Sequence, residues 1–340
     1  MDKYDELMKI FRLTILGLVL IFLIPSTGSG SPGVLDEAKK EKEVSIYTTA
    51  STNVVNALIN SFKEKYPFLK VGLYRAGTQK LITRIMAETS AGKFFADVYY
   101  CKGTELNILR EKNLLMKYES PESKNYRKDF KDSQGYWTYN YVLYRAIAYN
   151  TKLVSPQEAP KSYEDLLDPK WKGKIALPMQ RYEWFATMCK AWGEEKAVSY
   201  FKKLVAQDLQ YHNGLTLNAN LLAAGEFSIL AMNGSHTIEI LKDKGAPVEW
   251  FYAKPVAVDT TGPAISAKAP HPNAAKLWVD YLLSKEGQLR MRSFHYVTTR
   301  PDVSPDPPRL MADEGSTYDF EDLFKELDYY TKLYKTIFPQ

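Results

Sequence analysis

The chain has 340 residues, 45% hydrophobic and 25% charged, with a formal net charge of +5. This is an ordinary globular balance, with enough length for two compact units. Basic residues are interleaved with acids, as in 39–43 and 63–65, so no basic block marks a nucleic-acid groove.

The first element is N-terminal. Lys9 and Arg12 lead into an uncharged apolar run at 13–24, which Pro25 breaks and small residues follow to Ser31. A charged, apolar, small-residue order reads as a secretory signal peptide over 1–31. The run is short for a hydrocarbon core of about 30 Å. Asp2, Asp5 and Glu6 fit such a signal poorly, which makes Met8 a candidate start; the alternative is an uncleaved membrane anchor. No cysteine lies near the end of the run to accept a lipid, so the expected product is a soluble periplasmic monomer.

Beyond the signal, strands alternate with helices. A β-branched strand at 44–47 is followed by a small polar turn and an apolar helical stripe, Val54, Val55, Leu58, Ile59 and Phe62, closed by Pro67. A strand at 71–74 precedes a helix opened by Gly77 and Thr78. A strand at 97–100 leads through Cys101, Lys102 and Gly103 into a helix at 105–112. The long aromatic run 136–150 carries a single charge, Arg145, and reads as a strand passing between two units.

A second series starts with a strand at 174–177 and helices at 182–192, 194–205 and 217–224, the last stopped by Gly225. A strand at 227–232, a helix at 237–244 and strands at 249–251 and 256–258 follow. Thr260, Thr261, Gly262 and Pro263 read as a break before a strand at 264–266 and a strong helix at 273–283. The tail is Pro-rich, then helical at 320–334. The pattern predicts an α/β fold with helical crossovers in two lobes that face a cleft. Cys101 and Cys189 show no metal-knuckle or redox spacing and read as separate buried thiols.

Eight ordered segments carry a resemblance: IYTTAS (46–51), FKEKYPFLKV (62–71), ITRIMAETSAGKFFADV (82–98), YRAIAYNT (144–151), YEDLLDPKWKGKIALP (163–178), LLAAGEFSI (221–229), LKDKGAPVEW (241–250) and APHPNAAKLWVDYLLSKEGQ (269–288). Together the chain resembles periplasmic solute-binding proteins of ABC importers, in the branch associated with ferric iron, thiamine, polyamines and phosphonates. The resemblance implies a type II periplasmic-binding fold, with each lobe a mixed sheet flanked by helices and the ligand cleft between lobes. It implies hinge closure on a small solute and delivery to an ABC permease in the inner membrane. The expected lobes are 32–141 with 262–340, and 142–261.

Solutes in open α/β sheets sit beyond the carboxyl ends of strands, often at helix N-termini. The candidate contacts are therefore Thr49, Ser51, Thr78 and Lys102 in the first lobe. In the second they are Arg181, Tyr182, Asn213, Thr216, Asn233, Ser235 and His236, with Thr260 near the second crossing. Ser51 and Thr78 at helix starts, a point charge at Lys102 and a planar fork at Arg181 favour a small anion: an organic acid, a phosphonate or a phosphorylated compound. Tyr144 and Arg145 are read as holding the hinge.

Ferric members of the family use a histidine or glutamate near the first loops and paired tyrosines in the second lobe. Here Ser51, Lys102 and Asn233–Gly234–Ser235–His236 stand near those places. A lysine beside a trivalent cation is unfavourable, so no metal and no cofactor are expected. Ferric iron or thiamine binding is the alternative reading, and ligand sensing for a membrane receptor is another. Nucleophile-elbow and zinc-helix motifs are absent from the sequence, and no enzyme activity is expected.

Overall fold

The computed structural model describes residues 33–313, 317–318 and 325–338. The proposed signal at 1–31 lies outside the described residues. Among those residues no helix is long and apolar enough to cross a membrane.

The first lobe begins with helix α1 (Val34–Glu41) and strand β1 (Glu43–Thr48). Helix α2 (Thr52–Lys65) buries the stripe read from sequence, Val54, Val55, Leu58, Ile59 and Phe62. Strand β2 (Lys70–Arg75), helix α3 (Thr78–Ser90), strand β3 (Val98–Lys102), helix α4 (Gly103–Glu111) and strand β4 (Leu115–Met116) follow. β1 pairs in parallel with both β2 and β3.

Strand β5 (Tyr141–Asn150) then leaves for the second lobe. There the order is β6 (Ile175–Pro178), α5 (Tyr182–Trp192), α6 (Glu194–Val205), β7 (Gln210–His212), α7 (Leu215–Ala224), β8 (Ile229–Gly234), α8 (Ser235–Asp243) and β9 (Val248–Phe251). β6 is parallel to β7 and β8, while β5 is antiparallel to β8 and β9.

Strand β10 (Val256–Ser266) returns to the first lobe. Helices α9 (Pro272–Leu283) and α10 (Lys285–Arg292) and strand β11 (Val297–Thr298) pack there. Phe62 of α2 meets Trp278 of α9 edge-on at 4.9 Å, and both are fully buried. Such aromatic pairs stabilise by about 1 kcal/mol beyond the area they bury.

The two long strands are the crossing. Tyr141–Tyr144 of β5 pair antiparallel with Thr261–Val258 of β10; beyond that, β5 runs along β8 and β9, and β10 along β3. The break expected at 260–263 is absent: β10 runs straight through. Its central place between β3 and β5 overrides the turn composition. Pro263, which has no N–H to offer, falls just past the stretch paired with β5. A Cβ on Gly262 would stand 2.7 Å from the Thr138 carbonyl, so this glycine serves a close approach rather than a turn.

The tail also departs from expectation. The sequence pattern places 262–340 in the first lobe, but Leu310 and Ala312 join the apolar cluster around β8 and β9. Strand β12 (Thr317–Tyr318) pairs with Val256–Ala257. Helix α11 (Leu327–Ile337) packs Tyr330 and Tyr334 against Phe185, and Phe338 just after it meets Phe201. α5 and α6 leave an aromatic face that the first lobe cannot reach, and the tail covers it. Cys101 and Cys189 are both free and buried, as the spacing suggested.

Candidate functional site

The crossing places charged side chains where apolar packing would be cheaper. Arg145 on β5 is only 6% exposed, and Asp259 on β10 is 5% exposed. The two form an ion pair through Arg145 Nη2. Arg145 Nη1 is buried and has no hydrogen-bond partner among the described residues. A guanidinium half satisfied in a dry place is costly unless something acidic meets it. Burial, with Arg181 adding like charge, lowers Arg145 to about 10, so it stays cationic at neutral pH.

Lys102 ends β3 and is the residue before α4. Its Nζ donates to Glu183 Oε2 at 3.0 Å and lies 3.5 Å from Asp259 Oδ2. Glu183 stands in the first turn of α5, in the other lobe. Burial opposes its ionisation, but Lys102, Arg145 and Arg181 outweigh burial and hold the carboxyl below its ordinary value. Glu105, in the first turn of α4, goes the other way. Burial pushes it up against the pull of Lys102, and Glu183 adds to the rise. Lys102, Arg145 and Arg181 thus face the carboxyl groups of Glu183, Asp259 and Glu105.

Arg181 donates Nε–H to the Met179 carbonyl at 2.7 Å and precedes α5. Tyr182 packs edge-on against Tyr334 at 5.0 Å. His236 packs at a tilt against Tyr296 of the first lobe, 4.7 Å between centroids. Its Nδ1 is buried without a hydrogen-bond partner among the described residues. Burial, then the charge of Arg145, lowers its pKa to about 3, so the ring is neutral. A Cβ on Gly234 would stand 2.4 Å from the imidazole, so the glycine lets the ring fold back over it. Thr260 is buried beside the start of α4: a Cβ on Gly103 would meet the Tyr139 hydroxyl at 2.5 Å and Thr260 Oγ1 at 3.2 Å. Tyr139 Oη is also buried without a hydrogen-bond partner among the described residues.

The remaining candidates are arranged differently. Thr49 donates its backbone N–H to the Tyr100 carbonyl. Ser51 is exposed and makes no side-chain cap on α2. Thr78 donates its hydroxyl to Glu105 at 2.6 Å. Asn213 and Thr216 are exposed. Asn233 donates to the Leu215 carbonyl and accepts from the Gly234 N–H, and Ser235 accepts from the Tyr252 hydroxyl; both therefore face inward. The starts of α4, α5 and α8 have no side-chain cap either, leaving their first N–H groups for other acceptors.

The structure thus draws together Lys102, Arg181, His236 and Thr260 with Arg145, Glu183, Asp259, Tyr139 and Tyr296, which were not among the expected contacts. Arg145 had a signal: it is the lone charge in an aromatic run. Glu183 and Asp259 had none, because their partners lie 81 residues away in Lys102 and on a different strand in Arg145.

Residues 100–313 match a family model described as bacterial extracellular solute-binding protein. Iron uptake protein A1 of Synechocystis sp. is 23% identical over 294 residues, 81% of this chain and 80% of that one. A putative 2-aminoethylphosphonate-binding periplasmic protein of Salmonella typhi is 28% identical over 183 residues, 50% of this chain and 53% of that one. The solved periplasmic binding protein AfuA of Actinobacillus pleuropneumoniae, with fructose 6-phosphate bound, superposes with a TM-score of 0.76 at 25% identity. That match covers 87% of this chain and 98% of AfuA.

Proposed function

Because the chain belongs to the bacterial extracellular solute-binding proteins, a family of solute-binding transport proteins, we propose that it captures a small anion between its lobes and hands it unaltered to an ABC permease. The solute is an organic acid, a phosphonate or a phosphorylated compound, held outside the inner membrane by an exported monomer. The carrying observation is Arg145, buried at the crossing with Nη1 unpartnered. An anion there completes the guanidinium, and Arg181 and the uncapped starts of α5 and α8 supply further donors. His236 offers a neutral ring nitrogen, suited to a hydroxyl or a protonated acid oxygen. The solute biases a hinge equilibrium toward the closed form by touching both lobes at once.

The relatives named for 2-aminoethylphosphonate and fructose 6-phosphate support this class. The ferric reading has the Synechocystis relative behind it, but three cations around the crossing oppose a bare trivalent ion.

A thermal-shift panel tests the proposal with inorganic phosphate, 2-aminoethylphosphonate, fructose 6-phosphate, citrate and ferric chloride. At a hundredfold excess over Kd, an anion that fits raises the melting temperature by roughly 5 °C. A shift by ferric ion alone would overturn the proposal.

A further inference from the structure

We propose that Glu183 is a positioning residue: it reaches across the cleft to hold Lys102 and so clasps the two lobes shut over the solute site. This rests on the anion reading for its purpose, but not for its geometry. Lys102 belongs to β3 in the first lobe and Glu183 to α5 in the second, and their 3.0 Å contact joins elements that nothing covalent brings together nearby. Both side chains are about a quarter exposed, 23% and 26%, so the pair lies at the boundary between buried crossing and solvent. Screening is weaker there than on an open surface.

The surrounding charges favour one half of the clasp directly. Lys102, Arg145 and Arg181 hold the Glu183 carboxyl below its ordinary value against burial, and Asp259 Oδ2 stands 3.5 Å from Lys102 Nζ. Glu105 also faces this group from α4, where burial raises its pKa against the pull of Lys102. His236 against Tyr296, and His295 Nε2 with Asp243 Oδ2 at 2.7 Å, also join the lobes.

The clasp changes the part assigned to Lys102. Its positive charge is already matched by Glu183 and Asp259, so the open anion-binding valence of the site is that of Arg145. Lys102 contributes through closure, not as a direct solute contact.

Electron–electron spin distances in the ligand-free protein test this without any solute. Nitroxides on cysteines placed at the exposed positions Lys93 and Lys203 report the lobe separation, and the native cysteines are buried. Wild type should give a distribution that contains a short-distance, closed population, which a solute then enlarges. Glu183→Gln and Lys102→Gln should each broaden it toward longer distances. The double variant, Lys102→Gln with Glu183→Gln, should open no further than either single variant, because each single change already removes the one contact. The clasp is overturned if the single variants keep the wild-type distribution, or if the double variant opens by the sum of the two single changes while its circular dichroism remains native. A second arm uses inorganic phosphate in stopped flow, where Glu183→Gln should speed dissociation about fivefold. If wild type binds no phosphate or other panel anion but the distances follow the clasp, the anion reading fails and the clasp stands.

Discussion

At the scale of single residues, Arg145 is the proposed anion contact. Arg145→Gln should weaken anion binding about a hundredfold, or about 2.7 kcal/mol by titration calorimetry. Arg145→Lys should recover little of this, because a point charge cannot pair with Asp259 and offer a second fork nitrogen together. Full binding by the glutamine variant would remove Arg145 from the site. His236 gives a pH prediction. The unfolded chain takes up a proton near the ordinary value of 6.5, whereas the folded ring stays neutral until about 3. Stability present above 6.5 is therefore lost as pH falls through that window, with a slope approaching about 1.4 kcal/mol per pH unit. Urea unfolding of His236→Gln should show a flatter acid limb than wild type; identical limbs would place the proton uptake elsewhere.

At the scale of elements, α11 is the testable surprise. Tyr334 stacks on Phe338 at 4.2 Å and meets Phe185 edge-on at 5.7 Å, all within the second lobe's core. Tyr334→Ala should cost about 3 kcal/mol in urea unfolding. A loss below about 1 kcal/mol would mean the helix is an ornament of the lobe. Helices with a clear apolar period were legible in the sequence: Tyr182–Trp192 and Glu194–Val205 fall at the residues expected. The straight run of β10 was not, because Thr260–Pro263 has the composition of a turn and only its two neighbouring strands make it extended. The tail's lobe was equally hidden, since the aromatic face it covers belongs to helices more than 120 residues earlier. The site divides in the same way. Lys102 and Arg181 were legible as residues at strand ends before helices. Glu183 and Asp259 take their meaning from partners that only the crossing brings near.

On the scale of the whole molecule, two strands cross between lobes and charged groups gather at the crossing. In the proposed function, a hinge there would let a solute of a few atoms govern the relation of two large bodies, with each lobe supplying part of its shell. On the same proposal, an anion would complete the buried Arg145 guanidinium, whose Nη1 has no hydrogen-bond partner among the described residues. Native mass spectrometry of the protein purified from the periplasm, compared with its Arg145→Gln variant, tests this most directly. The account predicts one retained small organic or phosphorus-containing anion per wild-type chain and none in the variant. A retained ferric ion, or the same adduct on both proteins, would contradict it.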